Sequence, residues 1–258
     1  MRVTRTRPAT LMPWLLLLAL CLLPALAFAA PGAPTTPLPD INVGKIGGAP
    51  VSLPLQTLLL MTAITLIPSM LLVLTSFTRI IIVLGLLRQA LGTGQTPSNQ
   101  VLLGLALFLT AMVMMPTWDK AWSAGMAPYL NGDIDFQTAW TLTTQPLRGF
   151  MLAQIRETDL MTFAGIAGHG TYASPDAIPF PVLVASFVTS ELKTAFEIGF
   201  LIFLPFLVID LVIANILMAM GMQMLSPTTV SLPFKLLLFV LIDGWVKLTH
   251  GLVLTYQT

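Results

Sequence analysis

The chain has 258 residues, of which 56% are apolar and only 9% charged, with a formal net charge of +1. Soluble domains carry about 25% charged residues, so this composition, with a mean hydropathy of +0.88, fits a membrane protein and not a soluble enzyme. The charge hides an asymmetry: Arg2, Arg5 and Arg7 lie at the start, and without them nine basic residues face eleven acidic ones, leaving no basic patch for nucleic acid.

Residues 1–29 have the pattern of a cleavable secretory signal. A basic start leads into an apolar run over 11–23, then Pro24 and the small-x-small triplet Ala27-Phe28-Ala29. A cut after Ala29 is expected, with Ala27 and Ala30 as alternatives and an uncleaved first membrane helix as the other reading. Cys21 is the one cysteine, so the mature chain is expected to hold no disulfide, thiol nucleophile or thiolate metal site. Residues 30–52 are rich in Pro and Gly and read as an N-terminal arm.

A first helical hairpin is expected over 53–115. Its first segment, 55–87, is interrupted by Pro68 and by Ser76-Phe77-Thr78-Arg79. Pro68 removes a backbone donor and predicts a kink. A polar turn over 88–99 precedes a short apolar run over 101–115. Residues 116–180 hold Asp119, Lys120, Asp133, Asp135, Arg148, Arg156, Glu157, Asp159 and Asp176. This stretch reads as a small helical domain outside the membrane, with Trp118 and Trp122 as interfacial anchors or core residues. Residues 165–181 read as a loop.

A second hairpin is expected over 181–258, with apolar blocks at 198–220 and 232–254. Each is long enough to cross a bilayer, which takes about 20 helical residues. The hinge between them places Met218, Met220, Met222 and Met224 within seven residues. Arg79 and Arg88 flank the 88–99 turn and place it on the cytoplasmic side. The 116–180 region is then periplasmic, and the Met hinge points back toward the cytoplasm.

The standard catalytic motifs are missing: there is no P-loop, GxGxxG after a strand, HExxH or GxSxG. His169 and His250 have no partner at ligand spacing. No enzyme activity, metal or cofactor is therefore expected. The informative residues are charges inside apolar blocks, which are expensive there and face protein or water. Asp210 needs a partner, with Lys235 and Arg79 as the candidates; a proton-relay role is the alternative. Asp243 and Lys247 are spaced i,i+4 and predict an ion pair on one helix. Glu191, Lys193 and Glu197 read as a polar stripe, solvated or in contact with another subunit. Methionine is unbranched and polarizable. Copies of the hinge around an axis would make a soft seal, whereas in an isolated helix the same residues would be core filler.

Residues 76–80 (SFTRI), 86–92 (LLRQALG), 97–102 (PSNQVL), 189–196 (TSELKTAF), 204–212 (LPFLVIDLV), 231–240 (SLPFKLLLFV) and 243–245 (DGW) stand out as motifs. Together they resemble the FliP family of flagellar export-gate proteins. They run in order from about residue 55 to the C-terminus. Injectisome counterparts share many of them; the signal segment, 145–148 (QPLR) and 156–160 (RETDL) look more flagellar. The resemblance implies an all-α, membrane-associated fold of kinked helical hairpins that assemble into an oligomeric helical pore. It implies a core subunit of the type III protein export gate, in the bacterial inner membrane at the basal body and partly exposed to the periplasm. The implied partners are further copies of the chain in a pentamer, FliR, FliQ, other export-apparatus proteins, membrane lipid, and unfolded substrates passing through the centre. The family's methionine gasket maps onto Met222, Gln223 and Met224, with Gln where a family member may carry a third Met. Phe203 and Phe206 are expected as a possible second constriction. Arg79, Asp210, Lys235, Asp243 and Lys247 are expected as buried charges that hold arms and subunits in register. A proton-coupled transporter using Asp210 is the rival reading, although no inverted repeat is found.

Overall fold

The computed structural model describes residues 53–256, apart from 169, 171, 173, 223 and 224. The signal segment, the Pro/Gly arm, His169, Gln223 and Met224 lie outside the described residues. Among the described residues the secondary structure is helical throughout. Two compact units divide after Ser69.

Helix α1 (Leu53–Val73) carries Pro68 in its interior. The proline does not end it. Along α1, the Thr62, Thr65 and Ser69 hydroxyls donate to carbonyls three or four residues earlier, as hydroxyls in helices do. The helical break falls instead at residues 74–76, just ahead of the Phe77-Thr78-Arg79 sequence.

In the second unit, α2 (Phe77–Leu91) is the central element. Arg79, Ile80, Val83, Leu84, Leu87, Ala90 and Leu91 are all buried, giving it a wide inward face. Ile80 and Leu84 pack with Leu102, Ala106 and Leu109 of α3 (Asn99–Ala121). Val83 packs with Ala195 of α7 (Phe180–Ala219) and Leu252 of α9 (Gly244–Leu254). Leu87, Ala90 and Leu91 pack with Phe206 of α7 and Phe239 of α8 (Pro227–Leu241).

The boundary expected at 115/116 falls inside a helix. α3 runs through Pro116, passes a π-helical turn at Trp122–Met126, and continues as α4 (Ala127–Asn131). The π turn has a packing reason. A Cβ on Gly125 would lie 2.7 Å from the backbone atoms Ala139 O and Thr143 N of α5 (Phe136–Gln154), a close approach open only to glycine. Asp135 caps α5, accepting from Gln137 N at 3.1 Å and from the Thr138 hydroxyl at 2.5 Å. These bonds hold its carboxyl below the usual range. Helix α6 (Glu157–Ile166) follows, and a 3-10 turn at Pro175–Ala177 interrupts the loop before α7. Met151 of α5 and Leu183 and Phe187 of α7 are fully buried together.

α7 is one helix of 40 residues, and Pro205 does not break it. The expected 232–254 block is not a single rod. α8 and α9 meet at a bend of 63°, where Asp243 adopts φ +55°. Two helical stretches, Asn99–Asn131 and Phe180–Ala219, are long and apolar enough to cross a membrane. Two further spans meet the same test as bent pairs, Leu60–Val73 with Phe77–Leu91 and Pro227–Leu241 with Gly244–Leu254.

Candidate functional site

The α7–α8 arm carries the hinge. α7 stops in a Schellman turn: Gly221 N donates to Met218 O and Met222 N donates to Leu217 O, both at 3.0 Å. Gly221 takes φ +74°, which a side chain would strain. The turn presents Met222, 40% exposed, immediately after the helix. Met218 and Met220 are more exposed still. Pro227 then starts α8 at the first helical position, where its missing N–H costs nothing.

An interior clasp joins the arms. Lys235 Nζ donates to Asp210 Oδ2 at 2.7 Å and to Ala90 O, at the end of α2, at 3.2 Å. The Ser231 hydroxyl donates to Asp210 Oδ1 at 2.5 Å. Asp210 lies twelve residues before Met222 and Lys235 thirteen after it. The clasp therefore closes the two arms at matching height, roughly 12–14 Å of helix back from the turn, since α7 ends at Ala219 and α8 begins at Pro227. Of the two partners expected for Asp210, the structure provides Lys235.

Arg79 is engaged elsewhere. Its guanidinium forms a two-pronged ion pair with Glu191, through Nε at 3.0 Å and through Nη2. It also donates to Gln154 Oε1 and Thr255 Oγ1, each at 3.1 Å, and lies 4.0 Å from the Tyr256 ring centre. The Tyr256 hydroxyl donates to Glu191 Oε2 at 2.6 Å. Burial pushes the Tyr256 phenol far up, so it stays a donor. Arg79 is 3% exposed and Glu191 is fully buried. This network draws α2, α5, α7 and the segment after α9 to one point.

The expected stripe of Glu191, Lys193 and Glu197 is thus corrected. Glu191 is interior. Lys193 and Glu197 do not pair with each other; each reaches a different partner on or beside α6. Lys193 pairs with Asp159, whose carboxylate also accepts from the Ser190 hydroxyl at 2.8 Å. Glu197 pairs with Arg156 at 2.5 Å. Lys193, then Ser190, hold the Asp159 carboxyl below its ordinary value, and Glu197 raises that of Arg156.

Two further expectations change. Asp243 and Lys247 make no ion pair among the described residues, and both are exposed. The bend places Asp243 in the left-handed region ahead of α9, and its backbone carbonyl, not its carboxylate, meets the Lys247 N–H. Phe206 is 3% exposed and packs on Phe239, their ring centres 6.4 Å apart. It serves the protomer's own core and leaves the list of constriction candidates. Phe203 is half-buried against the same cluster.

Outside these networks the long α7 helix is bare. Phe196, Phe200, Leu201, Leu207, Val208 and Leu211 are each more than half exposed. Apolar exposure on this scale requires lipid or protein around it. The fold and its paired interior charges define a membrane-embedded, all-helical protein with no catalytic constellation among the described residues.

Its sequence relations specify the family. The family model "FliP family" matches residues 60–252. The flagellar biosynthetic protein FliP of Cereibacter sphaeroides is 55% identical over 84% of this chain and 73% of its own. That of Pectobacterium carotovorum is 51% identical over 88% of this chain and 86% of its own. That of Bacillus subtilis is 45% identical over 80% and 93% respectively. The chain belongs to the FliP family. It is a membrane component of the flagellar protein-export apparatus, serves flagellum biogenesis, and is a structural part and not an enzyme.

Proposed function

We propose that this chain is a pore-forming subunit of the export gate. Several copies surround an axis, and unfolded flagellar substrates cross the inner membrane along it. Met222 and Met224, with Gln223 between them, line the narrowest point as a flexible seal. Family membership supports the flagellar gate over an injectisome and points to a pentamer completed by FliR and FliQ, with other export-apparatus proteins beside it. In this reading the segment after Asn131, up to the start of α7 at Phe180, lies on the periplasmic side, and α7 with α8 works as the hairpin that carries the Met tip.

The observation that carries the reading is the contrast along one arm. The charges Asp210 and Lys235 are satisfied inside the protomer, while the long apolar face of α7 and the Met tip are left uncovered. A protomer that pairs these two charges within itself and leaves its apolar face exposed is built to be surrounded. Methionine at the tip supplies unbranched, polarizable side chains that repack around a passing chain. Asp210 acts here as the clasp between arms.

The test replaces Met222 and Met224 together by Ala and measures ion leakage through membranes holding the assembled gate. Increased leakage with unchanged assembly is expected. Unchanged leakage would overturn the seal.

A further inference from the structure

A second feature lies at the opposite side of α2. Ile81, Gly85 and Arg88 of α2 face Asn99, Gln100, Leu102 and Leu103 at the start of α3 across a groove of about 360 Å³. The space is open at its floor: a Cβ on Gly85 would meet no atom within 4 Å. Glycine inside a helix costs about 1 kcal/mol relative to alanine, and no close contact within the chain accounts for it here.

Arg88 closes one end of the groove. Its Nη1 donates to Asn99 Oδ1 at 2.6 Å and to Pro97 O at 3.2 Å. Among the described residues its Nε and Nη2 make no hydrogen bond and it forms no ion pair. The sequence has no Asp or Glu from 41 to 118. The interior carboxylates are committed: Glu191 holds Arg79, and Asp210 holds Lys235 and Ser231. Among the described residues Arg88 is thus a guanidinium without a carboxylate partner, its Nε and Nη2 open, at the mouth of an apolar slot in a protein embedded in a membrane.

The order of chemistry along α2 is apolar, then open, then cationic, from Ile81 to the polar turn. That is the order of a phospholipid lying with its phosphate at the membrane surface. Exposed Leu103, Leu107 and Phe108 continue the apolar wall along α3. We propose that this groove binds one anionic phospholipid, its acyl chain over Gly85 and its phosphate on the Arg88 fork. Guanidinium and phosphate match as two-pronged partners, and basic pockets between membrane helices hold anionic headgroups.

The test uses the full chain in nanodiscs of equal phosphatidylglycerol and phosphatidylcholine, extracted into detergent and read by native mass spectrometry. The wild type is expected to retain phosphatidylglycerol preferentially. Arg88→Gln should cut that preference about fivefold, the effect of one basic residue at an anionic surface, and Arg88→Lys should restore part of it. Gly85→Leu fills the slot and leaves the Arg88 hydrogen bonds in place. It should lower retention of phosphatidylglycerol with the same copy number, so a loosened turn in the Arg88 variant cannot imitate the result. Equal retention of both lipids by the wild type, or retention unchanged in Gly85→Leu, would overturn the proposal. So would a change in copy number in Gly85→Leu without loss of lipid, which would make the groove a protein contact.

Discussion

Cutting the Arg79–Glu191 pair from either side should have unequal costs. Both side chains are buried, with exposures of 3% and 0%, and their geometry is two-pronged. Removing one partner of a buried pair destabilises by about 3–5 kcal/mol, because a charge is stranded. The two strandings differ. A stranded carboxylate neutralises by taking up a proton, and Glu191 keeps its Tyr256 donor. A stranded guanidinium has no such exit, because it does not deprotonate in proteins. Glu191→Leu should therefore reach the full cost of about 3–5 kcal/mol, and Arg79→Met should fall below it. The double variant should lose less than either single variant, because an apolar pair of similar volume replaces a buried ion pair at little cost. The assay is unfolding of the detergent-solubilised protein followed by tryptophan fluorescence, read as a double-mutant cycle. Additive losses in the double variant would refute the reasoning, and so would a larger loss in Arg79→Met than in Glu191→Leu.

Three further outcomes are expected. Gly221→Ala places a side chain at φ +74° and should cost about 1–2 kcal/mol in the left-handed region; protease cutting at the hinge should rise while cutting at the 88–99 turn does not. Gly125→Ala drives a Cβ to 2.7 Å from α5 backbone atoms and should destabilise by about 1–3 kcal/mol, seen as faster amide exchange in α5 with α8 unaffected. The Asp159 carboxyl is held below its ordinary value by Lys193 and Ser190. Its stabilisation of the α6–α7 contact is therefore full above the ordinary carboxylate range and is lost as pH falls through the lowered value. Amide exchange in α6 should rise in acid, and Asp159→Asn should exchange faster at neutral pH and lose the acid dependence.

Much of the architecture was legible in the chain itself. Apolar block length announced membrane helices, the polar run over 88–99 announced a turn, and the break between the blocks at 198–220 and 232–254 announced a hinge, although the second arm already starts at Pro227. Two opposite charges in facing arms pointed to Asp210–Lys235. The failures have specific causes. The boundary at 115/116 follows the change from an apolar run to a charged stretch, yet composition does not end a helix: α3 continues through Pro116 to Ala121, and the glycine of the following π turn seats on α5. Glu191 shares a helical stretch with Lys193 and Glu197, so local spacing groups them. Their true partners lie on other elements, and Arg79 is 112 positions away. Spacing of i,i+4 suggested Asp243–Lys247, but that pattern assumes a helix, and the chain bends at Asp243. Phe206 is a constriction candidate from the sequence, and in a uniformly apolar stretch only the packed Phe239 ring reveals that it faces the protomer's own core.

The direct test of the central claim is photo-crosslinking from position 222 in gates loaded with a stalled export substrate. The account predicts adducts to that substrate and to neighbouring copies of the same chain. Adducts to lipid alone, or only within one protomer, would contradict it.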